Sequence, residues 1–405
     1  MPTHPRLFAL AAAVTALLST TAPALATSTA APDPTAALTG TRAEPAPLRP
    51  TPVPVAGQYI VTVAKGVSPA TVLKKAAPSA TALFTYTSAL NGFAAKLTPA
   101  QLTAVRALPA VDAVDEDGTV TATRTPGRAA RAAAPSWGLD RIDQPYLPLN
   151  QEFNVHGTGS GVTAYVVDTG IDYQHAEFGG RAVPGFDAIG DGRNGADCNG
   201  HGTHVAGTVG GATFGVARQT SLVSVRVLNC AGRGEWSGII AGFDWVARNA
   251  RQPAVLNGSL GGDRNEAVNQ AVNNLTARDV LPVVAAGNDG KDACDVSPAS
   301  ANWALTVGAT GHDDIETDFS NFGPCLALYA PGRAIVSARL GGGSTALDGT
   351  SMASPHVAGV AALYKAVNPT ATAQEVGNWI ISQATRDALT VSKSSPNRLL
   401  YTAGL

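Results

Sequence analysis

Apolar and polar positions alternate along Gln58-Tyr59-Ile60-Val61-Thr62-Val63, the pattern of a strand with one face buried. Pro69 opens a helical stretch to residue 77 that carries Val72, Leu73 and two lysines. Leu90-Asn91-Gly92-Phe93-Ala94-Ala95-Lys96-Leu97 reads as a turn into a second strand. Thr98-Pro99-Ala100-Gln101 then starts a helix with a capping residue followed by proline at the first helical position. A further strand is expected from Val111 to Val120. Residues 58–120 therefore form a small α+β unit, and 121–135 turn to the Ala/Arg/Pro/Gly composition of a linker, where proteases cut.

Beyond the linker the pattern changes. Val162 to Val167, Leu222 to Val227, Val280 to Ala285 and Ala304 to Gly308 are short, Val-rich runs suited to parallel strands covered on both faces. Helical stretches lie between them at 202–210, 237–248, 265–277 and 354–366. This alternation over residues 136–405 predicts a doubly wound, mostly parallel α/β sheet with helices on both faces. Working groups in such a sheet gather at the carboxyl ends of its strands.

Residues 1–26 carry a short basic start, an apolar stretch and the small-residue site Ala24-Leu25-Ala26, the three parts of a secretory signal peptide. Residues 27–57 are Ala, Pro and Thr without an apolar period, a flexible lead-in. The chain is expected to be secreted and extracellular, and no apolar run reaches the ~20 residues of a membrane helix. Hydrophobic residues at 45% exclude a disordered chain, and a net charge of −2 argues against a nucleic-acid partner. The charge divides unevenly. Residues 1–131 hold 11 basic and 6 acidic side chains, and residues 132–405 hold 17 and 24, which favours association of the two parts. All four cysteines lie in the second part. In an exported chain they are expected to pair, but three connectivities are open and spacing does not choose among them.

Three segments fall at strand ends. Val166-Val167 deliver Asp168-Thr169-Gly170, Asn199-Gly200-His201-Gly202-Thr203-His204 opens a small-residue helix, and Gly349-Thr350-Ser351-Met352-Ala353-Ser354-Pro355-His356 leads into an apolar one. Each alone has a plain structural reading, since a strand-end Asp or a Ser before a helix is usually a cap. Together they meet the needs of acyl transfer. A serine hydroxyl needs an imidazole to take its proton, and the imidazole needs a carboxylate to fix its tautomer. The chain order Asp, His, Ser is not that of the α/β-hydrolases, which run Ser, acid, His.

These three motifs resemble the signatures of the subtilisin-like serine proteases. Trp137-Gly138-Leu139-Asp140-Arg141-Ile142-Asp143-Gln144, Cys198-Asn199-Gly200-His201 and Ser395-Pro396-Asn397-Arg398-Leu399-Leu400-Tyr401 narrow the likeness to the proteinase K branch, in particular aqualysin-like secreted enzymes. Residues 58–120 resemble the inhibitor-type propeptide of that group. The resemblance implies a subtilisin-like catalytic domain over 136–405 and a secreted endopeptidase made as a self-processed zymogen. Its propeptide would serve as intramolecular chaperone and inhibitor. The enzyme would be a monomer acting on protein and peptide substrates, with no cofactor for the chemistry.

Carried over residue by residue, the resemblance makes Ser351 the nucleophile, His201 the general base and Asp168 its orienting carboxylate, with Asn288 donating to the oxyanion. His204 and His356 are expected to pack structurally. Gly232 to Gly234 and Ser259, Leu260 and Gly261 become the edges that pair with substrate. Ser259 to Gly261 and Ala285 to Gly287 become uncharged walls of the pocket for the side chain before the cut bond, favouring hydrophobic or aromatic residues there. Trp236 stands either at the rim of a more distant subsite or buried on the following helix. The aqualysin-like pattern implies disulfides Cys198–Cys230 and Cys294–Cys325. It also implies a structural Ca2+ near the mature start, at Asp140, Asp143, Gln144, Asn150 and Glu152. A second family calcium site is expected to be weak or absent, because Ala327 stands where relatives place an Asp.

Overall fold

The computed structural model describes residues 40, 42–122, 136–391 and 394–405. The signal-peptide segment, much of the lead-in and nearly all of the processing linker lie outside the described residues.

The first sheet runs in the order Ala82–Tyr86, Gly92–Lys96, Pro54–Val63, Val111–Ala122, with each neighbour antiparallel. Alternation places Val61 and Val63 on one face, against Val72, Leu73 and Val105 of the helices Pro69–Ala76 and Pro99–Arg106. Both helices start as their sequences require. Ser68 accepts from Thr71 N, while Thr98 and Gln101 form a reciprocal capping box beside a proline. The opposite face carries Ile60, Tyr86 and Ala94 into a cluster shared with the second body of the chain.

Order begins earlier than the expected lead-in boundary at residue 57. Leu48–Arg49 pairs parallel with Val114 and Asp115, and Arg106 Nε donates to the carbonyl of the fully buried Ala46 (2.7 Å). Pro-rich composition removes backbone donors without removing acceptors. Here Pro47 O simply accepts from Val114 N (2.9 Å). The strand Ala82–Tyr86 also escaped the sequence reading.

The second sheet has nine strands among the described residues. Their order is Thr385–Arg386, Arg398–Leu399, Leu328–Pro331, Leu305–Thr310, Val280–Ala285, Ala254–Gly258, Thr163–Asp168, Ser221–Arg226, Ala182–Asp187. Every pairing is parallel except the one between Thr385–Arg386 and Arg398–Leu399. Successive residues of one strand serve opposite cores. Ala164 and Val166 pack with Val205, Val209, Val357 and Val360, whereas Tyr165 and Val167 pack with Ile239, Ile240 and Phe243. Burying such a side chain contributes ~1.5–3 kcal/mol, so the unbroken Val-rich runs follow from cover on both faces.

The helices are His201–Gly210, Trp236–Asn249, Glu266–Thr276, Thr350–Val367 and Ala373–Gln383, after a short one at Trp137–Ile142. The fourth of these begins four residues before the expected position at 354, despite Pro355 inside it. A proline at that point frees the carbonyl four residues back, that of Ser351. Ser259 Oγ donates to this carbonyl at 2.9 Å, so the helix keeps its first turn.

Candidate active site

Asp168 ends the central strand Thr163–Asp168, and His201 is the first residue of its helix. Both are fully buried, with His201 Nδ1 at 2.7 Å from Asp168 Oδ1. A carboxylate only accepts, so Nδ1 carries the proton and Nε2 is the basic end. His201 Nε2 is buried and has no hydrogen-bond partner among the described residues. Close approach of the two segments depends on Gly202, where a Cβ would stand 2.2 Å from Gly170 O.

Ser351 lies in the first turn of Thr350–Val367. Its Oγ donates to Ser259 O at 3.1 Å, while Ser259 Oγ holds the Ser351 carbonyl. Asn288 follows the strand Val280–Ala285. Its Oδ1 accepts from Thr350 N (2.9 Å) and from Thr350 Oγ1 (2.8 Å), which fixes the amide and leaves Nδ2 as the buried, unpartnered end. Gly287 N in turn donates to Thr350 Oγ1 (3.0 Å). Nothing in the sequence assigns Thr350 this holding role. The hydroxyl beside the serine was the available signal.

His204 and His356 stand apart from this chemistry. His204 Nε2 donates to Ile335 O (2.9 Å) and His356 Nδ1 to Met352 O (2.8 Å). Burial pushes them down to about 3 and about 4 respectively.

The cleft edges are Arg233–Glu235 and Leu260–Asp263, and the end of Val111–Ala122 lies between them, antiparallel to both. Thr121 faces Gly261 and Arg233, Ala122 faces Leu260, Val120 faces Gly234, and Ala122 N donates to Gly232 O (2.8 Å). Of the two readings of Trp236, the burial is what the structure shows. The residue starts its helix, is 1% exposed, and packs in one cluster with Val120, Leu228 and Leu260 under the inserted strand. Beside the strand lies a cavity of about 430 Å³, lined by Gly261, Gly262, Ala285, Ala286, Gly287 and Asn288. Asp263, Asp289 and Lys291 line it too, so its surround is less neutral than the sequence implied. Lys291 and Asp289 pair with each other at 3.2 Å.

Polar contacts between the two bodies are made by neutral donors on carboxylates and backbone carbonyls. Gln58 Nε2 donates across to Glu235 Oε2 (2.7 Å) and within its own body to Asp117 Oδ2 (2.6 Å), Ser237 N donates to Asp117 Oδ1 (3.1 Å), and Tyr86 Oη donates to Ser237 O (3.0 Å). Asp244 Oδ1 accepts from the backbone N–H of Thr87, Ser88 and Ala89. Among the described residues no ion pair crosses between residues 42–122 and 136–405. Strand pairing, neutral hydrogen bonds and buried apolar surface join the two bodies among the described residues.

Two disulfides are present, Cys198–Cys230 and Cys294–Cys325, with Cα separations of 4.9 and 5.3 Å. The suggested calcium ligands share one loop, and most of their polar groups meet its backbone. Asp140 accepts from Asn150 N (3.1 Å) and Gln151 N (2.8 Å), Asn150 Oδ1 accepts from Glu152 N (3.0 Å), and Gln144 Nε2 donates to Tyr146 O and Pro148 O. Asp143 Oδ1 is buried without a partner, and burial with Asp140 and Glu152 nearby pushes its carboxyl up. At Ala327 the Arg398 guanidinium lies 3.5 Å from the backbone carbonyl.

A buried Asp–His pair, a serine and an amide donor at the carboxyl end of a parallel sheet define a hydrolase of the nucleophilic serine class. The comparisons specify which. Residues 159–402 match the model of the Subtilase family, and residues 58–123 match that of Peptidase inhibitor I9. The Extracellular serine proteinase of Thermus sp. (strain Rt41A) is 48% identical over 321 residues, 78% of this chain and 77% of the relative. The Alkaline serine exoprotease A of Vibrio alginolyticus is 46% identical over 312 residues, 77% of this chain; the match spans 58% of that relative's length. A crystal structure of a cold adapted subtilisin-like serine proteinase superposes with a TM-score of 0.65 at 48% identity, covering 66% of this chain and 97% of that one. The chain belongs to the subtilase family, the subtilisin-like serine proteases, and carries their I9-type inhibitor propeptide.

Proposed function

We propose that the chain is a secreted serine endopeptidase that cuts peptide bonds through an acyl-enzyme on Ser351. The carrying observation is the His201–Asp168 bond of 2.7 Å, with the Asn288 amide held by Thr350 beside Ser351. His201 Nε2 takes the hydroxyl proton, Ser351 Oγ attacks the carbonyl, and Asn288 Nδ2 with the Ser351 N–H receives the charge that develops on its oxygen. Arg233–Glu235 and Leu260–Asp263 hold the substrate as a strand, which gives affinity with little sequence preference. The cavity beside Ala285 to Gly287 favours a hydrophobic or aromatic residue before the cut bond. A silent binding protein on the same fold is the rival reading. Casein hydrolysis that a serine-directed inactivator abolishes separates the two.

The proposed organisation is a signal peptide over 1–26, a lead-in, a propeptide over 58–120, a linker over 121–135 and a catalytic domain over 136–405. The strand ending at Ala122 pairs with Leu260, the residue after Ser259, whose carbonyl contacts Ser351 Oγ at 3.1 Å. The first self-cleavage is therefore expected in the linker beyond Ala122.

The propeptide acts as folding aid and then as inhibitor. Burial pushes the Asp115 carboxyl up to about 6 against the lowering effect of Arg49, and burial pushes Asp117 up as well. A carboxyl raised in the complex favours binding below its ordinary range near ~4, and that gain is lost as pH rises through about 6. Separately expressed residues 42–122 are expected to inhibit the mature enzyme at micromolar concentration. The inhibition constant should be weaker at pH 7 than at pH 4.5. Absence of inhibition, or a constant that does not move with pH, would overturn this.

A structural calcium is proposed at the loop of Asp140 and Asp143, where the orphaned Asp143 Oδ1 is the point of fit and Gln144, Asn150 and Glu152 are the remaining oxygen donors. A cation bound only by the native state stabilises by RT ln(1 + [L]/Kd). The Tm should rise in millimolar calcium over excess chelator, and Asp143→Ala should remove most of the rise. Equal melting temperatures in both buffers would sink the proposal.

A further inference from the structure

Neither the triad nor the cleft contains Asp197, yet its carboxylate is 7% exposed and satisfied on every side. Oδ1 accepts from Thr169 Oγ1 (2.9 Å), Asn199 N (2.8 Å) and Gly200 N (3.0 Å); Oδ2 accepts from Thr203 N (3.0 Å) and Thr203 Oγ1 (2.6 Å). Thr169 directly follows Asp168, and Thr203 lies in the first turn of the helix that His201 begins. Thr169 Oγ1 also accepts from Gly202 N (2.9 Å), closing a ring from the aspartate's strand end to the histidine's helix start.

We infer that Asp197 is the positioning residue for the His201–Asp168 pair, an assignment that rests on the triad reading above. The two members of that pair arrive on different elements, and their bond is only as good as the placement of one segment on the other. Misplacing a catalytic group by ~1 Å costs about 100-fold in rate. Asp197 supplies that placement by a single group: it pins the turn before His201, with Gly200 at φ 100°, to the residue after Asp168. Every group it meets is a donor, and a carboxylate is the side chain that only accepts. Its charge also sits at the N-terminal end of a ten-residue helix, where the backbone N–H groups point out and favour an anion. Asparagine has the same shape but must turn an NH2 toward donors.

Asp197→Asn in the full chain is the test, with Ser351→Ala alongside. The rate of precursor self-cleavage and kcat on a peptide substrate should fall about 10- to 100-fold, with KM within about 3-fold. The acid limb of kcat/KM should move to lower pH, because an imidazolium less well met by Asp168 loses its proton more readily. Thr169→Val should reproduce part of the loss, Thr169→Ser should restore it, and Asp197→Asn with Thr169→Val should be no worse than Asp197→Asn alone. An unchanged kcat and pH profile with only a lower Tm, or strictly additive losses, overturns the inference. If Asp197→Asn does not fold, the Thr169 pair decides the question by the same readouts. Full activity in Ser351→Ala would instead overturn the triad reading and this inference with it.

Discussion

Replacing Ser351 with alanine is expected to leave the protein as an uncut precursor that hydrolyses nothing. The substitution removes one oxygen, whose hydrogen bond at 3.1 Å runs to the Ser259 carbonyl. Apolar neighbours and the helix Thr350–Val367 are untouched, so folding should survive. Chemistry should not: losing the nucleophile of such a triad lowers turnover by roughly 10⁶-fold. The same loss should block maturation, because the segment ending at Ala122 already lies between the two cleft edges in the antiparallel pairing a substrate would use. Self-cleavage within one chain needs no diffusion of a second molecule, so wild-type precursor should process at a rate independent of its concentration. Intact-mass measurement of purified Ser351→Ala protein from a protease-free host checks both halves. Normal maturation there would mean that another protease cuts the linker.

Legibility of the fold tracked burial on both faces. The Val-rich runs before Asp168 and before Asn288 announced central strands, because each must satisfy an apolar neighbour above and below the sheet. Ala254–Gly258, Leu328–Pro331 and Ala182–Asp187 did not stand out. They are short or carry glycine or proline, and ladder partners rather than composition make them strands. Asp168, His201 and Ser351 stood out because acyl transfer needs those side-chain types on separate turns, whereas Asn288 entered only through the family resemblance. Asp197 was not, although it lies beside Cys198, since nothing in a lone acidic residue before a turn says that five donors will converge on it. The charge split was legible, but among the described residues no ion pair between the two bodies expresses it. Net charge reports a long-range field, whereas the described polar contacts across the interface set Gln58 against Glu235, Ser237 N against Asp117, and Tyr86 against the Ser237 carbonyl.

Asn288→Ala should lower kcat by about 10²–10³-fold with KM within a few fold, a loss of roughly 3–4 kcal/mol in the transition state. The split follows from what holds the substrate and what holds the oxyanion. In the proposed function substrate is held by backbone pairing along Leu260–Asp263 and Arg233–Glu235, as Val111–Ala122 is here, and the Asn288 side chain contributes nothing to it. Its Oδ1 is committed to Thr350 N and Oγ1, so Nδ2 is the end left to meet charge that appears only when Ser351 attacks. Removing a donor that acts only then leaves ground-state binding alone. Asn288→Asp should be at least as damaging, since it keeps the shape, loses the donor and puts a like charge beside the oxyanion. Steady-state kinetics on one chromogenic peptide measures all of this. A kcat unchanged in Asn288→Ala would remove Asn288 from the mechanism, and a loss confined to KM would make it a substrate-binding residue.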